Sequence, residues 1–303
     1  MSVDSTNAAF APPNEAFSYQ TSTLNTRQIE CVLHKWKPNS QPKGLAVVYH
    51  GFGAHSQYPT VRYASSLLAR NGFLVYALDL PGHGLSPGTR GYLTGVKDLI
   101  QDGVAVAKHA KVDAASNHGS SLPLFLLGSS MGGAIALKVA EQLGPGFLNG
   151  VVMLAPMLSL KVGPAARTAL SLLSIFVPSV PLIPSSATSA EKQYRDPKRR
   201  AECEEDKLSY SGNLRVSSAL TCVDLALDIS ESFDNIIVPF LCMVADEDVV
   251  VDNSNLVELI EKAKSEDKTL KRYAALHGLL CEPPPLIHQI ENDLIEWMMQ
   301  KCS

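Results

Sequence analysis

The 303-residue sequence carries little charge: 18% of it is Asp, Glu, Lys or Arg, against 46% apolar. It lacks a basic excess, with 26 Lys and Arg facing 30 Asp and Glu for a formal net charge of −4. A nucleic-acid binder usually presents a basic stripe, so no nucleic-acid partner is expected. The one dense basic stretch, Lys198-Arg199-Arg200, runs straight into Glu202, Glu204, Glu205 and Asp206 and reads as a solvated helix face. No run of 18 apolar residues exists, so no membrane-spanning helix is expected. Cys31, Cys203, Cys222, Cys242, Cys281 and Cys302 have neither CxxC nor metal-ligand spacing. Cys222 and Cys242 lie in apolar runs and read as small core hydrophobes, and reduced thiols in an intracellular protein are the simplest reading of all six. There is no HExxH, no carboxylate array at helical spacing, no GxGxxG and no P-loop, so neither a metal nor a nucleotide cofactor is expected. Residues 1–15 are polar and contain proline, without the charged start and apolar run of a secretory signal. They read as a flexible terminus, and Lys301-Cys302-Ser303 is neither a prenylation nor a peroxisomal signal. A cytoplasmic localisation is the expectation from these features.

What is present is a succession of short apolar runs. Leu45–Tyr49, Phe73–Leu80, Leu122–Leu127, Val151–Ala155 and Val238–Val244 read as strands buried on both faces, and Leu270–Ala274 as a weaker one. Helical stretches alternate with them: Val61–Arg70, Val96–Lys108, Met131–Leu143, Asn255–Lys264 and Leu286–Met299. Strand and helix in alternation predict an α/β fold with a mostly parallel, doubly wound sheet. Ala16–Thr23 and Gln28–His34 predict an antiparallel entry hairpin. The alternation breaks over 157–232, which holds the apolar, proline-punctuated Ala165–Pro184, the charged Glu191–Lys207 and the helical Ser217–Ile229. That segment is expected to be a cap inserted into a core of 16–156 and 233–303.

Gly128-Ser129-Ser130-Met131-Gly132 fits GxSxG, after a strand ending LFLL and before the helix MGGAIALKVAEQL. That strand–turn–helix context makes a nucleophile elbow, with the Ser130 hydroxyl lifted above the sheet edge and the helix N-terminus favouring developing negative charge. A serine needs a base. C-terminal to Ser130 the histidines are His277 and His288; His277 follows the last strand on a loop, whereas His288 falls in the terminal helix, so His277 is the candidate. The acid that orients it should follow the Val238–Val244 strand. Asp246, Asp248 and Asp252 qualify, with Glu247 a poor fourth, and the residues alone leave the choice open. An oxyanion hole needs two backbone N–H groups. The residue after the nucleophile, Met131, offers one, and Phe52 in His50-Gly51-Phe52-Gly53 offers the other. His50 and His83 read as structural, bonded to loop backbone, and His109 and His118 as surface residues.

With these residues in hand, the sequence resembles the monoacylglycerol lipase family and its plant-type relatives, an α/β-hydrolase fold with an inserted helical cap. The resemblance runs from about Val47 to Trp297. It rests on HGFGAHS (50–56), RYASSLLARNGFLVYALDLPGHGLSPGTRGYL (62–93), LLGSSMGGAIALKVA (126–140), VVMLAPM (151–157), VPFLCMVADEDVVVD (238–252) and SEDKTLKRYAALHGLLCE (265–282). It implies that the first Asp of Asp248-Val249-Val250-Val251-Asp252 is the catalytic acid, with Asp246 second, and it maps nucleophile, base and oxyanion donors onto Ser130, His277, Phe52 and Met131. It also implies a hydrophobic channel in the cap for one acyl chain and an apolar rim that touches membranes. Leu172, Leu173, Ile175 and Phe176 are the cap residues expected to meet lipid substrate or membrane. The sequence departs from the family at Ser129, where His or Gln is common. It departs again at Val244-Ala245 in place of His-Gly, at Ala54 in place of Glu, and at Arg62-Tyr63, which falls a few residues late. These changes leave the triad intact and the head-group preference open.

The expected activity is therefore hydrolysis of a monoacylglycerol to glycerol and fatty acid through an acyl-enzyme. Its partners would be a lipid ester and, through the cap, transiently a membrane or lipid-droplet surface. The alternatives are a lysophospholipase or phenolic (shikimate-type) esterase of the same fold, and, outside enzymes, a ligand-binding module.

Overall fold

The computed structural model describes residues 16–119, 121–185 and 188–302; the stretch expected to be flexible, 1–15, lies outside them. In chain order the elements are β1 (Phe17–Thr26), β2 (Ile29–Pro38), β3 (Gly44–Tyr49), α1 (Pro59–Arg70), β4 (Phe73–Leu78), α2 (Val96–His118), β5 (Leu124–Ser129), α3 (Met131–Leu143) and β6 (Gly150–Leu154). An inserted segment follows: α4 (Pro164–Phe176), β7 (Pro181–Ile183), α5 (Ala190–Gln193), α6 (Pro197–Glu205), β8 (Leu214–Arg215) and α7 (Val216–Glu231). The chain closes with β9 (Phe240–Ala245), α8 (Leu256–Lys262), β10 (Lys268–Tyr273) and α9 (Leu286–Gln300).

Eight strands form one sheet in the order β1-β2-β4-β3-β5-β6-β9-β10. β1 and β2 pair antiparallel, β2 meets β4 antiparallel, and every further pairing is parallel. The fold is thus the expected α/β-hydrolase arrangement. β3, β4, β5, β6 and β9 are buried along their whole length, which explains their unbroken apolar runs: helices cover both faces. Alternate residues serve alternate faces. Leu45, Val47 and Tyr49 of β3 pack with residues of α2, α3 and α7, while Ala46 and Val48 pack with those of α1 and α9. β4 lies on one side of β3 and β5 on the other, so strand order reverses there. A crevice opens at such a switch point, beyond the carboxyl ends of the strands.

Strand limits differ from the expected ones where polar pairing intervenes. The run Leu122–Leu127 becomes strand only at Leu124, just after Pro123, which has no N–H to give the ladder. β10 begins two residues early, at Lys268, and is amphipathic because it is an edge strand. The helix expected over Val96–Lys108 continues to His118, ending at Gly119 in the left-handed conformation (φ 64°). Within the inserted segment, α4 has no buried residue. α7 behaves differently: it packs on α2 and α3, and its Cys222, Leu225 and Ile229 join the core under the sheet. A cap boundary at 232 therefore assigns to the insertion a helix whose inner face belongs to the core.

Candidate active site

Ser130 sits between β5 and α3 with φ 57° and ψ −124°, a conformation that L-residues other than glycine rarely adopt. The turn is held by Ser130 N–H donating to Leu154 O at 3.0 Å, and by Gly133 and Met157 N–H donating to Ser130 O at 2.9 and 3.0 Å. Two glycines are required by close approach. A Cβ at Gly128 would collide with the Gly132 carbonyl, and one at Gly132 with the Tyr49 carbonyl. The GxSxG spacing is thus the local packing rule of a strand and helix pressed together around a strained serine.

His277 lies on the loop after β10 and is 5% exposed. Its Nδ1–H donates to Asp248 Oδ2 at 2.7 Å, and that carboxylate is fully buried. Asp248 is itself oriented, since Oδ1 accepts the Val250 and Val251 N–H groups at 2.7 and 3.1 Å. The rival carboxylates are engaged elsewhere: Asp246 with Arg272, Glu247 with Arg195, Asp252 with Ser159, Ser254 and Lys161. His288 is exposed and pairs with Glu291. Asp248 is therefore the acid that meets His277, as the resemblance implied.

Ser130, His277 and Phe52 line one cavity of about 460 Å³. Phe52 is on the loop after β3, where Ala54 N–H donates to Gly51 O. A Cβ at Gly51 would come within 3.2 Å of Ser130 Cβ, so the bare glycine lets the loop backbone lie beside the serine side chain. Met131 is the first residue of α3, so its N–H has no partner within the helix.

His50 and His83 behave as structural residues. His50 Nδ1–H donates to Gly51 O while Nε2 accepts Leu80 N–H, and His83 Nδ1–H donates to Pro81 O. Burial pushes them down to about 4 and about 3, so both are neutral imidazoles that fix loops. Of the two assigned to the surface, His109 sets its ring edge-on to Tyr76.

Three features escaped the sequence reading. Asp79, in the quoted DLPGHG, is a buried hub. It accepts Ser56 N–H, Leu85 N–H and His34 Nε2–H at 2.7, 2.8 and 3.1 Å, tying the Phe52 loop to the 80–92 loop and to β2. Burial works to raise its carboxyl, yet these bonds hold it well below the carboxylate range. Second, the inserted segment clamps the same loop: Tyr210 N–H donates to Gly53 O at 2.8 Å, and His55 Nε2 meets Asp206 Oδ2 at 2.6 Å. Third, of the acidic residues that follow the basic stretch, Glu204 and Asp206 line the cavity. No spacing rule finds these contacts, which join positions up to 157 residues apart in the chain.

The inserted wall of the cavity is polar, with Ser185, Thr188, Gln193, Glu204, Asp206 and Tyr210. The cap residues expected to meet lipid substrate or membrane lie elsewhere. Leu172, Leu173, Ile175 and Phe176 are on α4, exposed to 58%, 41%, 69% and 81%, and none lines the cavity. Burying the apolar side of α4 would take a surface the described chain does not offer. Among the described residues, no helix is long and apolar enough to cross a membrane, and no cluster of His, Cys, Asp and Glu could hold a metal ion.

Residues 40–284 match the family described as "Serine aminopeptidase, S33". Human monoglyceride lipase is 32% identical over 277 residues, covering 88% of this chain and 86% of that protein. Caffeoylshikimate esterase of Arabidopsis thaliana is 28% identical over 267 residues, covering 86% and 79%. The crystal structure of Paleococcus ferrophilus monoacylglycerol lipase superimposes with a TM-score of 0.75 at 25% identity, over 90% of this chain and all of that one. A strained serine elbow, a buried His–Asp pair on the loops after β9 and β10, and similarity along most of the chain agree, and the chain belongs to the monoacylglycerol lipase family of α/β-hydrolases.

Proposed function

We propose that the protein hydrolyses monoacylglycerols to glycerol and a free fatty acid by acyl transfer through Ser130. His277 takes the Ser130 hydroxyl proton as Oγ attacks the ester carbonyl. The Phe52 and Met131 N–H groups stabilise the oxyanion, each worth about 3 kcal/mol in the transition state. Glycerol leaves with the proton from His277, and a water activated by the same imidazole releases the fatty acid. Asp248 keeps the Nδ1–H tautomer and stabilises the imidazolium. No cofactor enters these steps. One observation carries the reading: the buried His277–Asp248 pair opens on the same cavity as a serine held at φ 57°.

A phenolic or shikimate-type ester is the second reading, favoured by the polar inserted wall and by the likeness to the caffeoylshikimate esterase. The test is turnover by the purified protein of a 1- or 2-monoacylglycerol, a lysophospholipid, a triacylglycerol and a short phenolic ester, each beside Ser130→Ala. Fastest turnover of the monoacylglycerol, abolished in the variant, is the expected result. Turnover of the phenolic or phospholipid ester alone would replace the substrate, and no turnover at all would leave a binding module.

The segment 157–232 acts in this reading as a cap, and the exposed apolar side of α4 as its contact with a membrane or lipid droplet. An apolar patch of this kind on a helix favours the headgroup–acyl boundary.

A further inference from the structure

The charge of the cavity beside Ser130 has a consequence for substrate choice. Its ionisable lining consists of His277, two carboxylates (Glu204 and Asp206), the Cys203 thiol and the phenols Tyr58 and Tyr210; no Lys or Arg lines it among the described residues. Residues 1–15, 120, 186, 187 and 303 contain no Lys or Arg either. The arginines of the neighbouring helix α6, and Arg62 of α1, are committed elsewhere. Arg62 and Arg199 both pair with Glu202, and Arg200 donates to Tyr194 O. Lys198 and Lys207 are exposed and outside the lining. Asp206 is engaged by His55 and accepts the Leu208 N–H. Glu204 is the carboxylate left facing the cavity, among hydroxyls of Thr188, Ser209 and Ser211. Burial pushes the Cys203 thiol up to about 11, so it adds no compensating chemistry near neutral pH.

We propose that Glu204 is a specificity-determining residue that makes this site select esters with an uncharged, polyhydroxylated alcohol group and reject those whose alcohol group carries a negative charge. The physical reason is direct. Hydroxyl and carboxylate groups accept and share hydrogen bonds with a polyol. An anionic head would meet a like charge, with no guanidinium or ammonium to neutralise it. The inference rests on the ester-hydrolase reading above and narrows it. Glycerol esters fit; phosphate monoesters of acylglycerol, and shikimate esters with a free carboxylate, do not.

The experiment compares 1-octanoylglycerol with 1-octanoylglycerol 3-phosphate, both as monomers at low ionic strength, in wild type, Glu204→Gln and Glu204→Lys. The quantity read is the ratio of their kcat/KM values. Glu204 is an exposed helix residue, so neither variant should disturb folding. The wild type is expected to favour the neutral ester by about tenfold or more at low salt. The ratio should fall in Glu204→Gln, fall further in Glu204→Lys, and shrink for the wild type as salt is added. Equal turnover of the two esters by the wild type overturns the inference alone. So does a ratio that neither variant changes. If neither ester is turned over, the substrate reading itself fails and takes this inference with it.

Discussion

The cavity has two walls, and they are held in different ways. On the sheet side each candidate group follows the carboxyl end of a strand, buried for all but the edge strand β10. Ser130 follows β5, Phe52 the strand β3, Asp248 the strand β9, and His277 the strand β10. Each is fixed by backbone hydrogen bonds or by a fully buried partner, as in Asp248 with Val250, Val251 and His277. On the inserted side the lining comes from short helices and loops, and α4 lies wholly on the surface. The sheet side can therefore hold reacting atoms to the tolerance chemistry needs. The inserted side can change its polar and apolar groups at little cost to the fold. In the proposed function, chemistry and specificity divide along the same line.

If that division holds, substitutions on the sheet side should remove turnover and those on the inserted side should redirect it. The largest effect is expected from Ser130→Ala, a fall in kcat/KM of at least about 10⁴-fold with the fold retained by circular dichroism. Substantial residual turnover would move the nucleophile elsewhere and break the comparison at its centre. Asp248→Asn is expected to cost about 10⁴-fold through loss of the imidazole tautomer, whereas Asp246→Asn and Asp252→Asn should stay within about tenfold. Kinetics on the three variants read the choice directly, and a collapse in Asp252→Asn instead of Asp248→Asn would reassign the acid.

Asp79 tests the sheet side through stability. Removing one partner of a buried pair typically costs about 3 kcal/mol, and Asp79→Asn should show it in urea unfolding at pH 7. The sign with pH follows from the lowered carboxyl. Its stabilisation is present above the unfolded-chain value of about 4 and is lost as pH falls toward the folded value. The wild type should thus weaken below about pH 4 more steeply than the variant, and parallel curves would mean that the hub carries little. The smallest effect on folding is expected on the inserted side. Ile175→Ser with Phe176→Ser should change stability by less than about 0.5 kcal/mol yet lower partitioning onto liposomes by about tenfold or more. Unchanged co-sedimentation would remove the membrane contact.

Most of the core was legible because its rules are local. The run LFLL, the glycines at 128 and 132 and the helix from Met131 specify the elbow within ten residues, and the helix limits Met131–Leu143 were met to the residue. His277 was legible because few histidines follow Ser130. Asp248 was not separable by residue chemistry from Asp246 and Asp252; the family motif singled it out, and the fold then turned the other two toward Arg272 and toward Lys161 and Ser254. The inserted segment resisted for a physical reason. Its short helices carry weak periodicity, and their sidedness is set by what they lie against. Glu202, Glu204 and Asp206 look alike in sequence, but one pairs with Arg62 and Arg199 while the others face the cavity. Apolar Ala165–Pro184 was read as a rim meeting lipid or membrane, and the structure sets the apolar residues of α4 on the outside, away from the cavity lining.

The sequence by itself determined the doubly wound sheet and the strained turn at Ser130, and it named His277 as the candidate base, because buried strands, tight turns and helix starts are written in contiguous residues. Only the tertiary structure decided that Asp79 would tie two loops to β2, that Asp206 and the Tyr210 N–H would fasten the Phe52 loop, and that the inserted wall of the cavity would be polar. Those outcomes depend on which side chains from distant segments become neighbours once the sheet has folded, and distance through space is not a property of sequence spacing.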